Sequence, residues 1–382
     1  MLYFDHCAST PPYDEVIQTM MEVMRSQYAN PSSLHRFGID TNKLIERSRS
    51  LLAERMHTTK GDWLFTSGGT ESNNLAIKGV ARQYAGRGKH LITSQIEHAS
   101  VYETFAQLEQ EGFWVTYLPV SESGHVRVEQ LEEALTEDTI LVSIMHVNNE
   151  IGSIQPIEQI GRLLSRYPKT MFHVDAVQSM GKLPIPIEEW GVDLLSGSAH
   201  KLRGPKGIGY LYVRSGITLY PILSGGSHEH GIRPGTQNVP GIVASAKALR
   251  MSLEAMEQRE RKMKLLRGKL ISMISGIEEL KLNGAEPIAP HIVHFSYPGM
   301  KPEVIVHMLE QHGIMASTKS ACSSKDDKPS RVLLAIGATH EQATGGIRIS
   351  LGDEHEERDI AALGDALRQI AQQLKPLERR LT

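Results

Sequence analysis

The sequence predicts an α/β protein: a large domain with a mostly parallel sheet sandwiched by helices, and a smaller α+β domain. Three observations carry this expectation. Short apolar runs alternate with amphipathic helical stretches between residues 63 and 213, the pattern of strands joined by helical crossovers. From about Gly241 to Met273 the texture becomes one long helix-prone stretch rich in Met, Glu, Lys and Arg, without a sustained heptad. Residues 283 to 382 then mix strand-like and helical patterns. The implied division is 13–245 for the large domain, with 1–12 and 246–382 forming the small one.

Taken in order, Pro11-Pro12 closes a short extended start, residues 13–27 have helical spacing, and Asn30-Pro-Ser-Ser33 is a loop before a helix over 41–55. Strands are expected at 63–66, 90–93, 114–118, 140–147, 171–174, 192–195 and 208–213. Helices fall between them at 70–84, 100–110, 128–135 and 157–166. In the last third, strands at 292–295 and 347–351 accompany helices at 303–312 and 356–373.

Composition narrows the function classes. The 382 residues carry a net charge of -3, with 40% hydrophobic and 22% charged residues, ordinary for a globular chain. That balance gives no electrostatic reason for a nucleic-acid partner. No apolar run reaches the roughly 18 residues of a spanning helix, so no membrane partner is expected. Met1-Leu-Tyr-Phe-Asp-His6 lacks the basic and apolar blocks of a signal peptide. Two cysteines, Cys7 and Cys322, support neither a disulfide framework nor a Cys-based zinc site. A cytoplasmic protein without a bound metal is the expectation, with Cys7 a small core residue.

The chemistry is expected at the carboxyl ends of the strands, where open parallel sheets bind ligands. Lys201 follows one strand, beside Ser198 and His200. It suits an amine that condenses with a carbonyl, provided burial or a nearby cation lowers its pKa. Ser67-Gly-Gly-Thr70 opens a helix, whose free N–H groups and dipole make an anion cradle. His98, Asn149, and Asp175 with Gln178 follow three more strands. Together they fit a phosphorylated aromatic aldehyde, pyridoxal 5'-phosphate. Lys201 would make the imine, Asp175 would pair with the ring nitrogen, His98 would lie on the ring face and Gln178 would bond its hydroxyl. The phosphate would rest on Gly69, Thr70, Ser198 and His200.

Several segments carry a resemblance: Thr66–Ala76, Glu97-His98, Met145–Gly152, His173–Gln178, Gly197–Lys201, Arg233-Pro-Gly-Thr236, Ser320-Ala-Cys-Ser-Ser324 and Gly346–Gly352. In this order they look like the cysteine desulfurases, class V members of the aminotransferase fold type I. The resemblance implies a homodimer in which Thr236 reaches the partner's cofactor phosphate. It implies that Arg348, with Asn149 and Asn30, binds the substrate L-cysteine, a bidentate guanidinium suiting its carboxylate. It also makes Lys201, His98 and Cys322 the catalytic residues.

Cys322 lies in a polar stretch without hydrophobic periodicity, where an exposed loop is expected. By the resemblance, its thiolate takes sulfur from cysteine as a persulfide, alanine leaves, and an acceptor protein of iron–sulfur, thio-tRNA or thiamin biosynthesis receives the sulfur. Arg203 departs from the family, which often has Tyr there. His228-Glu-His230 has the look of a metal pair but falls inside the family's Gly-rich segment before Thr236. The rival readings are another fold-type I enzyme such as a selenocysteine lyase, or a non-catalytic sulfur-relay scaffold. A nicotinamide-dinucleotide site is disfavoured because the fingerprint glycines are missing.

Overall fold

The computed structural model describes residues 1–318 and 328–378. The chain opens with β1 (Leu2–Tyr3), α1 (Asp14–Ser26) and α2 (Arg36–Arg55). Strands and helices then alternate: β2 (Gly61–Thr66), α3 (Gly69–Gln83), β3 (His90–Ser94), α4 (Ala99–Gln110), β4 (Trp114–Leu118), α5 (Val128–Ala134), β5 (Thr139–Met145) and α6 (Ile157–Leu164). Next come β6 (Met171–Asp175), β7 (Leu194–Ser198) and β8 (Gly209–Arg214), followed by α7 (Val239–Glu254) and α8 (Met256–Ser275). The remainder is β9 (Lys281–Leu282), β10 (Ile292–Ser296), α9 (Pro302–Gln311), β11 (Ile314–Met315), α10 (Arg331–Ala335), α11 (His340–Thr344), β12 (Gly346–Ser350) and α12 (Glu357–Glu378).

The seven-stranded sheet has the order β2-β8-β7-β6-β5-β3-β4. Strands β4, β3, β5, β6 and β7 pair in parallel, and β8 runs against both neighbours. Every residue of β5 is buried, as a central parallel strand with helices on both faces requires. On one face Val142, Ile144, Phe172 and Val174 pack with Ile45 and Leu52 of α2 and Leu249 of α7. On the other, Leu91, Leu141 and Leu211 meet Leu75 and Val80 of α3 and Phe105 of α4. After β3 the chain leaves to β4 on one side and returns as β5 on the other. The crevice at this reversal opens beyond the carboxyl ends of the strands.

A second core surrounds the antiparallel sheet β12-β10-β9, with Phe295, Ile347 and Ile349 packed on Leu266, Leu270, Leu363 and Leu367. The chain start joins it: β1 pairs with β11, and Phe4 is fully buried in the same core. No helix among the described residues is long and apolar enough to cross a membrane.

Three sequence expectations are corrected. The single long helix is two, α7 and α8, meeting at Ala255 without a Gly or Pro. Arg259 donates to the Ser252 and Gly181 carbonyls at 3.2 and 2.8 Å, taking up an end group of α7. Packing changes hands there, since Leu249 belongs to the first core and Met263 to the second. A boundary after residue 245 therefore cuts α7. Helix α2 begins at Arg36, not 41, because the His35 side chain accepts from Gly38 N–H at 3.2 Å and caps it. Strand β7 is Leu194–Ser198, not 192–195: its small residues are buried strand, and a Cβ on Gly197 would meet Met180 Sδ at 2.4 Å.

Candidate active site

Strand β7 delivers Ser198, and a single turn of tight helix, Ala199–Lys201, follows it. Strand β6 ends on Asp175 and β5 leads to Asn149, while His98 caps the start of α4. These ends lie side by side because the register pairs Met145 with Asp175 and Asp175 with Ser196. They enclose one cavity with Gly69 and Thr70 of α3, Gln178, His200, and Arg348 of β12.

Lys201 Nζ donates to the Cys7 carbonyl and, at 2.8 Å, to that of Ala8. Burial pushes its pKa down to about 8, against an opposing influence of Cys7, with Arg348 and Lys182 adding to the depression. Asp175 accepts from Asn73 Nδ2 at 2.8 Å and from Val177 N–H at 2.9 Å. Its side chain is thus fixed by two donors at the end of a buried strand. His98 Nδ1 accepts from Ser100 N–H at 3.1 Å, so its neutral ring carries the hydrogen on Nε2. Burial lowers its pKa, with Asp175 pulling the other way.

Arg348 is 1% exposed. It donates to the Asn149 carbonyl at 2.8 Å and to Asp5 at 2.9 Å, and its Nε has no partner. Gln178 Nε2 reaches the Cys7 carbonyl at 3.0 Å, leaving Oε1 unpartnered. Ser198 Oγ and Asn73 Oδ1 are likewise buried without partners. His200 is pushed down to about 4 by burial and by Lys201, and is neutral at physiological pH.

Orphaned buried polar atoms are costly, and these four all belong to residues lining one cavity. The α3 start adds free backbone N–H groups suited to an anion. A Cβ on Gly69 would meet Val177 Cγ2 at 2.7 Å, so the cradle needs glycine there. The amine, the carboxylate and the anion cradle fit pyridoxal 5'-phosphate: Lys201 to its aldehyde, Asp175 to its ring nitrogen, Ser198 and the α3 start to its phosphate.

The sequence model of the family described as aminotransferase class-V matches residues 2–363. The chain belongs to this family. Its members depend on pyridoxal phosphate, in accord with the cavity. The relative named cysteine desulfurase IscS of Clostridium botulinum (strain Hall) is 42% identical over 380 residues, 98% of this chain and 96% of that protein. The cysteine desulfurase IscS 1 of Archaeoglobus fulgidus is 42% identical over 385 residues, covering both chains in full. A solved NifS-like protein superposes with a TM-score of 0.91 at 37% identity, covering 97% of this chain and 99% of that one. Within the class V aminotransferases, the chain is of the cysteine desulfurase family.

Of the residues singled out from the sequence, Gly69, Thr70, His98, Asn149, Asp175, Gln178, Ser198, His200, Lys201 and Arg348 all line the cavity. Thr236 and Asn30 do not: both are exposed. Their segments are neighbours, since His228 Nε2 bonds Ser32 Oγ at 2.8 Å. Glu229 is taken by Arg49 and His230 by Asp62, so the His228–His230 trio points three ways. Cys322 lies outside the described residues. Asn73 and Ser100, which line the cavity and brace Asp175 and His98, were missed. Asn73 falls within the Thr66–Ala76 motif, one turn after Thr70, and that spacing was the available signal. Cys7 is buried as expected, and it also forms part of the cavity wall.

Proposed function

We propose that this chain takes sulfur from L-cysteine, releases L-alanine, and carries the sulfur as a persulfide on Cys322 to an acceptor protein. The convergence of Lys201, Asp175, His98 and Arg348 on one cavity carries this reading. Pyridoxal phosphate, when bound, supplies a carbonyl that condenses with amines and a ring that takes up an electron pair. The remaining work belongs to side chains. Arg348, with an Nε still unpartnered, binds the substrate carboxylate and fixes which Cα bond faces Lys201. With a pKa near 8, Lys201 is roughly a quarter neutral at pH 7.5, against about one part in a thousand for an ordinary lysine. It is therefore available both as nucleophile and as the base for the Cα proton. Asp175, braced by Asn73, holds a proton on the ring nitrogen. His98 offers an Nε2–H for proton transfers beside it.

Cys322 completes the cycle in this reading. Its thiolate attacks the substrate sulfur, an S–S bond forms as the Cβ–S bond breaks, and Cβ gains a proton on the way to alanine. Two copies of the chain pair so that the exposed Thr236 of each meets the other's cofactor phosphate. That accounts for its place outside its own cavity and beside the Asn30 loop. The acceptor is a protein of iron–sulfur, thio-tRNA or thiamin biosynthesis in the cytoplasm.

Lys201→Ala tests the reading. The variant should lose the visible absorption of lysine-bound cofactor and all alanine release from L-cysteine. Alanine formed by Lys201→Ala at a wild-type rate, or a wild-type chain that consumes a keto acid instead, would reject it.

A further inference from the structure

We infer that Glu354 is a positioning residue for Lys201, its carboxylate joining the segment that holds the lysine amine to the turn that carries the lysine itself. The inference rests on the reading of Lys201 as the cofactor-binding amine. Both carbonyls that receive Lys201 Nζ, those of Cys7 and Ala8, come from a segment nearly 200 residues upstream. The position of the amine therefore depends on how that segment is fastened to the Lys201 turn.

Neutral contacts at Thr10 provide one fastening. Its N–H and hydroxyl donate to the His200 carbonyl at 3.0 and 2.8 Å, and its Oγ1 accepts from Arg203 N–H at 2.8 Å. Glu354 provides a charged one. Oε1 lies 2.7 Å from His6 Nε2, and Oε2 accepts from Arg203 Nη1 at 2.9 Å. His6 directly precedes Cys7, and Arg203 follows Lys201 by two positions. One carboxylate thus bridges both sides of the lysine. Asp353 strengthens the same corner, 2.6 Å from Arg259 and 3.0 Å from Tyr13 Oη.

Arg203 adds an independent observation. Its φ is +62°, a left-handed conformation that L side chains rarely adopt. Glycine would take that backbone without steric strain, so an arginine there holds a strained conformation while its side chain makes the contacts. That side chain lies over the Tyr13 ring at 4.8 Å and ends on Glu354.

A metal centre was the competing explanation. One ligand atom each of His6, Glu354 and His355 lie within 4.8 Å of one another. Yet Gly352 N–H donates to His355 Nδ1 at 2.8 Å. The neutral ring therefore carries its hydrogen on Nε2 and has no lone pair to give there. His355 is thereby tied to the backbone, and the close contact within the trio is the one between His6 and Glu354.

The test compares cofactor capture by wild type, Glu354→Gln, Arg203→Gly and the double variant, each freed of cofactor and then mixed with pyridoxal phosphate. Either single variant should capture roughly two- to fivefold more slowly and show a weakened visible band. The double variant should be no worse than the singles, because both remove the same link. Arg203→Gly keeps the backbone conformation, so it serves if Glu354→Gln fails to fold. Wild-type capture rates in the folded single variants would overturn the inference, as would additive losses in the double. So would one equivalent of zinc held by the wild type and lost in His355→Ala. If the wild type itself captures no cofactor on Lys201, the reading of the site fails, and not only this one.

Discussion

At Lys201 opposing influences meet: burial, with Arg348 and Lys182, favours the neutral amine, while Cys7 and Asp5 favour the charged one. Burial wins, leaving a pKa of about 8. Only the neutral amine attacks a carbonyl, so cofactor capture by the cofactor-free chain should accelerate with pH and level off above about 8. A stopped-flow series from pH 6 to 10 reads this directly; a rate still climbing at pH 10 would show an ordinary lysine. Lys201 and Asp175 were legible in the sequence because a charged group directly after a buried strand has few structural uses. Asn73 was not, since an amide on an amphipathic helix looks the same whether it faces solvent or braces a carboxylate. The acceptors of Lys201 were beyond reach for another reason: they are main-chain carbonyls, which any residue supplies.

Among elements, the alternation of strand and helix was readable because burial on both faces demands apolar runs. Strand β7 was displaced in that reading because close packing against Met180 selects glycine and serine, which otherwise signal loops. The break between α7 and α8 had no local signal; it follows from tertiary packing and from Arg259. The segment leading to Thr236 is anchored by Glu229, which takes Arg49 at 2.9 and 3.1 Å and the Phe65 N–H at 3.0 Å. Glu229→Ala would leave the buried Arg49 guanidinium with only the Trp63 carbonyl and the exposed Glu46 for partners, and should cost up to about 3–5 kcal/mol. Adding Arg49→Ala should recover part of that loss in chemical denaturation. A Glu229→Ala chain as stable as wild type would mean that the pair does not anchor this segment.

The whole molecule joins two cores through its first ten residues, with Phe4 in the smaller core and Cys7 in the cavity wall. Buried histidines give it an acid limit. Burial pushes His146 down to about 4, His173 and His294 to about 3, and His291 well below its ordinary value. Below pH 6.5 the unfolded chain takes up protons that these folded rings refuse. Stability should therefore fall as pH drops from about 6.5 toward 4, each ring contributing up to about 1.4 kcal/mol per pH unit. Glu97, raised by burial to about 8, works in the opposite sense with one group. Thermal melts across that window should show a steady loss of Tm; a flat profile would mean the rings accept protons in place. Sulfur transfer is the property of the molecule on which the account turns. Mass spectrometry of wild-type holoenzyme after L-cysteine should find one added sulfur atom on the Cys322 peptide, matched by one alanine released. Undiminished sulfur delivery to an acceptor by Cys322→Ser, with that peptide unmodified in wild type, would contradict it.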